Sequence, residues 1–234
     1  MPVSRRIAQD ERGVTIPELL VTMIVGLIVL GGIVTLVTST ATSSGRITER
    51  VAANQLARPM MQRVMNEMHS ACISPGLAPV IAGSNSDAIS FVHGTGAVVS
   101  PTPVKRTIAW NRTNGYLTDQ TFARTGGTAP DWTFSSTASS TFRLLENVGQ
   151  IDTATPIFRY YAYENGTISA TPLPVPLSTD DAKRTVQVTI ALAVSPTKSG
   201  TSDEEGAPIE LTNSALLRFT PSNEDTEQAG LPCT

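Results

Sequence analysis

Between Leu19 and Gly45 the chain carries no charged side chain, and this run limits its folding options more than any other feature. About 20 consecutive apolar residues carry a helix across the hydrocarbon core of a bilayer. Residues 19–37, LLVTMIVGLIVLGGIVTLV, nearly supply them before a weakly polar Thr/Ser stretch begins. Arg5, Arg6 and Arg12 stand in front of the run. Asp10 and Glu11 dilute that charge, but acids count little in setting orientation. The N-terminus is therefore expected inside the cell and the rest of the chain outside. One acid breaks the pattern. Glu18 sits at the edge of the run, and a carboxylate inside a bilayer costs ~3 kcal/mol unless it is paired.

Three arrangements account for such a start. In a cleaved signal peptide, Ser39-Thr40-Ala41 would offer small residues for cleavage, but the run is long and Glu18 interrupts its beginning. In a plain signal anchor, Glu18 is a flank residue near the headgroups. The third rests on residues 13–20, GVTIPELL, which resemble the processing motif of type IV prepilins. In that family a short basic leader ends in Gly, prepilin peptidase cuts after it, and the new N-terminal residue is methylated. A Glu follows as the fifth mature residue, then a long apolar helix. The resemblance implies a leader over residues 1–13, a scissile bond between Gly13 and Val14, a methylated amine on Val14 and the family's glutamate at Glu18. Val14 departs from the commoner Phe, and Pro17 occupies the fourth mature position. The specific motif covers about the first 30 residues.

The chemistry of the segment agrees with that resemblance. A cut after Gly13 creates a positive amine on Val14, four residues from Glu18 and so on the same helical face. The amine can neutralise Glu18 within one chain or reach the Glu18 of a neighbour and set register, and the family is thought to use the second arrangement. Pro17 is tolerated because the first helical turn has no internal partner for its N–H. Gly13 lets a protease approach the backbone closely.

Beyond Gly45 the pattern becomes amphipathic. Ala52, Leu56, Met60, Val64, Met68 and Cys72 recur every four residues, flanked by Ala57, Met61 and Met65. Arg50, Asn54, Arg58, Gln62, Asn66 and Glu67 fall on other faces. One helix is predicted over residues 14–71, roughly 85 Å at 1.5 Å per residue. Gly31-Gly32 weakens it, Pro59 should kink it, and Ser74-Pro75-Gly76 stops it. The Met-rich stripe is read as the face that packs on a head.

The rest of the chain reads as strands: 88–93, 104–111, 116–123, 156–163, 167–170, 186–194 and 209–219. Asn114-Gly115 and Asn165-Gly166 suit hairpin turns. Residues 186–194 alternate most clearly, as a half-buried strand should. Pro172, Pro174 and Pro176 mark an irregular link, and residues 198–208 an exposed loop. The expected fold is therefore α+β: a long N-terminal helix, apolar then amphipathic, on a small antiparallel sheet. Its organisation is a leader (1–13), a membrane and polymerisation helix (14–45), an amphipathic helix (46–74) and a β-rich head (75–234). The order of strands around FRYY, residues 158–161, is similar to W-type minor prepilins and J-type minor pseudopilins of type II secretion.

Little in the head suggests chemistry. His69 and His93 have no Cys or Asp at ligand spacing, and no catalytic residue, metal site or cofactor is expected. Asp180-Asp181 and Asp203-Glu204-Glu205 read as solvated acids rather than calcium ligands, because no EF-hand spacing is present. The Asn-X-Thr patterns at Asn111 and Asn165 coincide with turns. With a net charge of −3 and scattered cations, nucleic acid is not an expected partner. Cys72 and Cys233 can pair if the head is exported, and closing so long a loop contributes about 4–5 kcal/mol in the chain-entropy model.

The reading is thus a minor pilin or pseudopilin without enzymatic activity. It is processed by prepilin peptidase and its N-methyltransferase activity, then assembles with other subunits at an inner-membrane platform. Membrane lipid surrounds its helix before assembly, and a periplasmic or cell-surface filament receives it. The alternative is a single-pass, membrane-anchored extracytoplasmic binding domain that never polymerises.

Overall fold

The computed structural model describes residues 15–74, 76–95, 101–196 and 208–217. The fold is α+β. A 54-residue helix, α1 (Ile16–His69), precedes antiparallel sheets. The described residues divide into two units, one ending at Thr48 and one beginning at Glu49.

In the first unit every described side chain of α1 is exposed, including Leu36 at 70%. α1 is long and apolar enough there to cross a membrane. It stays a single helix through Gly31-Gly32 and Pro59. Pro59 lies on an exposed position, where the carbonyl it leaves without a partner can meet water.

In the second unit the buried face of α1 is Ala53, Ala57, Met61, Val64, Met65, Met68. This differs from the predicted stripe. Ala52 is exposed, Leu56 is 63% exposed and Met60 is half-buried. The reason is geometric: a strict four-residue repeat advances about 40° per step around a helix of 3.6 residues per turn. The predicted line therefore spirals off the core within a few turns. Only Val64, Met68 and, beyond the helix end, Cys72 stay inside.

Two larger sheets form the head, in place of the single sheet expected. The first runs β1 (Ala88–Thr95), β2 (Thr102–Asn111), β3 (Tyr116–Phe122) and then β6 (Ser140–Leu145). The short β4 (Arg124–Thr128) and β5 (Asp131–Phe134) make a separate hairpin. The second sheet has the order β11 (Ile209–Leu216), β10 (Thr185–Val194), β8 (Phe158–Glu164), β9 (Thr167–Ile168). In it, β7 (Val148–Gly149) also pairs with β10. Helix α2 (Thr179–Arg184) precedes β10 and is capped by Ser178, whose hydroxyl accepts from the Asp181 N–H. The β4–β5 hairpin, β6, β7 and α2 were not foreseen.

The core lies where the buried face of α1 meets both sheets: Met61, Val64, Met65 and Met68 against Phe91, Ile108, Phe158, Tyr160 and Ile190. Each fully buried side chain of this size stabilises by ~1.5–3 kcal/mol. The sheets are stitched by polar contacts. The Tyr160 hydroxyl reaches the carbonyls of Asn85 and Ala88, both at 3.0 Å, and burial raises its pKa. The Trp110 indole donates to the Val148 carbonyl at 2.9 Å.

Two expectations changed in detail. Strand β10 is buried on both faces from Val188 onward, because it is the central strand between β11 and β8. Its alternation separates large from small side chains, not buried from exposed. Of the two Asn-Gly turns, Asn165 and Gly166 both have positive φ, as a two-residue hairpin requires. At the other, Asn111 pairs with Tyr116, so four residues form the loop, and only Gly115 is left-handed. There the Asn111 side chain accepts from the Asn114 N–H. Residues 198–207, with Asp203-Glu204-Glu205, lie outside the described residues.

Candidate assembly segment and the helix-to-head clamp

The sequence places function at the start of α1. Gly13 and Val14 lie outside the described residues. Glu18 is exposed in the first turn of the helix, where the unpaired N–H groups favour an acid. Pro17 follows Ile16, the first helical residue, and the first helical bond recorded runs from the Leu19 N–H to the Thr15 carbonyl at 3.1 Å. Its missing N–H therefore costs the helix nothing.

The Thr/Ser stretch that weakens the apolar run is self-satisfied. Thr35, Thr38, Thr40 and Thr42 each donate their hydroxyl to a carbonyl three or four residues back, at 2.8–3.2 Å. In hydrocarbon an unpaired hydroxyl is costly, and this back-bonding removes that cost. Gly26, Gly31 and Gly32 have open space where a Cβ would sit. Nothing among the described residues requires them to be small.

The head carries a polar cluster that the sequence reading did not assemble. Glu67, on the last turns of α1, meets His93 of β1 and Arg106 of β2, and Arg106 joins it to Asp119 of β3. The His93 Nε2 lies 3.1 Å from the Glu67 carboxylate, and Arg106 pairs with the same carboxylate. Arg106 also forks onto both oxygens of Asp119. Exposure falls inward, from 21% at Glu67 through 12% at Arg106 to 4% at Asp119. His93 is thus a boundary residue with an acidic partner, one that a search for metal ligands passes over. His69 is exposed.

The electrostatics follow. The hydrogen bond from His93 is the largest influence on Glu67. Burial opposes it, Arg106 reinforces it, and the carboxyl is held down to about 2. Burial works against the charge on Arg106, but Asp119 and Glu67 outweigh it and raise its pKa. A depressed carboxyl stabilises the fold above its ordinary range and loses that contribution as pH falls. The head should therefore lose on the order of 2 kcal/mol between pH 4.5 and pH 2, allowing for partial solvent access. Glu67→Gln should remove that part of the slope in unfolding curves taken across the acid range. Identical slopes in both chains would show that the clamp carries no such linkage.

Ser70, His93 and Glu67 contain the residue types of a nucleophilic triad, but their geometry does not make one. Ser70 Oγ, at 3.0 Å, and Glu67 both meet the same ring nitrogen, Nε2. The Ser70 hydroxyl donates to the Glu67 carbonyl, so Nε2 must carry the proton. The other nitrogen, Nδ1, is buried without a partner among the described residues. In a working triad the acid holds Nδ1–H so that Nε2 is free to take the serine proton. Here Nε2 is a donor, and the cluster is a clamp between helix and sheet.

Asp180 and Asp181, weighed earlier as acids of a loop, sit in the first turn of α2, where Asp181 pairs with Arg184 at 2.7 Å. Cys72 is buried beside Val92, and no free thiol occurs among the described residues. Cys233 lies outside them. The residues that spiralled off the core, Ala52, Leu56 and Met60, line a groove of ≈ 520 Å³ with Leu144, Leu145 and Val194.

The architecture is pilin-like: a long apolar N-terminal helix followed by antiparallel sheets. By length and composition that helix is able to cross a membrane, as a membrane anchor or a signal sequence would be. No family model, no curated protein and no solved structure matches this chain.

Proposed function

We propose that the chain is a minor type IV pilin or pseudopilin, a structural subunit without catalytic activity. The observation that carries this reading is a basic leader ending at Gly13, followed by Glu18 at the fifth mature place and an apolar helix exposed on every side. A helix of that kind demands a cover. Lipid supplies it first, and the helices of other subunits supply it in a filament, where exchanging lipid for protein costs little apolar energy. Prepilin peptidase removes residues 1–13 and methylates the Val14 amine, and an inner-membrane platform lifts the subunit into a periplasmic or surface filament. The head supplies contacts, not chemistry. Cys72 and Cys233 join outside the membrane, and a disulfide donor there accepts the two protons and two electrons they release.

Intact-mass measurement of the membrane-extracted protein tests this. The expected species begins at Val14 and carries one methyl group. A species beginning at Met1 or near Thr42 rejects the reading and leaves the anchored binding domain or the secreted head in its place.

A further inference from the structure

A second groove, of ≈ 380 Å³, lies on the head between the β4–β5 hairpin and α2. Small-molecule sites occupy roughly 300–1,000 Å³ and are mostly apolar with a few polar groups. This groove has that make-up. Trp132 and Phe134, two residues apart on β5, share a side of the strand, stay half-buried and pack on Cys72 and Val92. Ile81 and Ala182 continue the apolar lining. The walls are built without a ligand. Ala182 is 1% exposed and seats α2 in the core. The Leu177 N–H donates to the Ser84 carbonyl at 2.8 Å and the Gly83 N–H to the Leu177 carbonyl at 2.9 Å, which ties the start of α2 to the loop that follows Ile81. The hairpin is held in shape by Gly127, at φ +80, where a Cβ would collide with the Asp131 carbonyl. Walls already ordered spare a ligand the cost of ordering them.

The charge around the groove has one sign in excess. Lys105 and Lys183 line it against a single acid, Asp131. Neither lysine forms an ion pair among the described residues. On α2 it is Arg184 that takes Asp181 and Glu164. The Lys105 Nζ lies 4.1 Å from the centre of the Phe122 ring, a contact that holds the ammonium without neutralising it. The larger groove beside Leu56 differs. Arg143 there pairs with Glu146, and Glu49 adds a second acid, so its lining has no excess of positive charge.

We propose that the groove between the hairpin and α2 binds a small amphipathic carboxylate with a flat apolar body. The body stacks on Trp132 and fills the space toward Ala182, and the carboxylate meets Lys105 and Lys183. Ring on ring gains by stacking as well as by burial. An ammonium–carboxylate contact is a charge-assisted hydrogen bond, roughly twice as strong as a neutral one. A sugar fits less well, because so apolar a lining leaves most of its hydroxyls without partners. The site uses the head alone, so a filament subunit and an anchored binding domain would carry it equally.

The photoreactive aromatic carboxylate 4-benzoylbenzoate tests this on the full chain in detergent micelles, beside its neutral amide. The acid should label residues 76–82 and 130–134 saturably, with 2-naphthoate competing. The amide should label them about tenfold less at equal concentration. Lys105→Met and Lys183→Met should each raise the half-saturating concentration about tenfold, as should Trp132→Ala. Lys183 is exposed, so Lys183→Met should leave the hydrogen-exchange protection of β10 unchanged, which separates lost binding from lost fold. Labelling that never saturates, or equal labelling by acid and amide, overturns the proposal. Half-saturation of both lysine variants at the natural concentration overturns it too. Intact mass of the same sample reports the cut after Gly13, so this proposal and the filament reading fail independently.

Discussion

Arg106→Met should lower the unfolding free energy of the head by about 3–5 kcal/mol. The substitution keeps a similar volume and removes the guanidinium that, among the described residues, Glu67 and Asp119 share. Asp119, only 4% exposed, would then be a buried carboxylate with no cation beside it among the described residues, and Glu67 would keep only His93. Protonating one of them is the cheapest escape, so the loss should shrink as the pH falls toward 4. Equilibrium urea unfolding of the full chain in detergent, followed by tryptophan fluorescence, measures it. The triple variant Glu67→Gln, Arg106→Met, Asp119→Asn should recover most of the lost stability, because a neutral cluster leaves no unpaired charge behind. A loss below ~1 kcal/mol in Arg106→Met would place the pairs among ordinary surface ion pairs and remove the clamp as an anchor of the helix.

The clamp also marks what could be read from residues alone. Alternation puts Val104, Arg106, Ile108 and Trp110 on one side of β2, and Leu117, Asp119 and Thr121 on one side of β3. A cation and an acid at core-facing positions of adjacent strands are a signal for a buried pair, and that signal was present. His93 adds to it by a contact across 26 residues of chain, which no local spacing reveals. The long helix and most strands were legible because their periods are strong and local. Hairpin β4–β5 was not, since RTGGT and DWTF are short and polar and owe their pairing to Gly127 and to packing beside Cys72. The buried face of α1 was only half legible. A four-residue repeat looks like one stripe on paper, whereas 3.6 residues per turn turns it away from the core, and packing against the two sheets decides which part stays inside.

Glu18→Ala should leave the cut after Gly13 intact and reduce incorporation into filaments by about a hundredfold, the factor that ~3 kcal/mol gives. The proposed cut depends on close approach to the backbone at Gly13, which the substitution does not change. Assembly differs. The first unit of the chain exposes leucine, isoleucine and valine on every side of α1, and such a surface packs with almost any register. If the proposed cut frees the Val14 amine, that amine and the Glu18 carboxylate would relieve each other's desolvation within hydrocarbon and so select one register among many. In the proposed filament, pairing between neighbours would satisfy the incoming amine with the carboxylate of a subunit already in place. Under that reading, removing Glu18 leaves each new amine buried and unpaired, while blocking the cut withholds the amine and leaves Glu18 at the headgroups with a basic leader still attached. The two defects are separable by experiment. Intact mass reports the cut, and the share of protein pelleting with sheared filaments reports assembly. Correct cleavage with full incorporation of Glu18→Ala would mean that apolar packing alone fixes the register, and the acid would then be a residue of the membrane flank. Correct cleavage with lost incorporation assigns the acid to docking, since a mere anchor has no use for a carboxylate whose partner appears only after proteolysis.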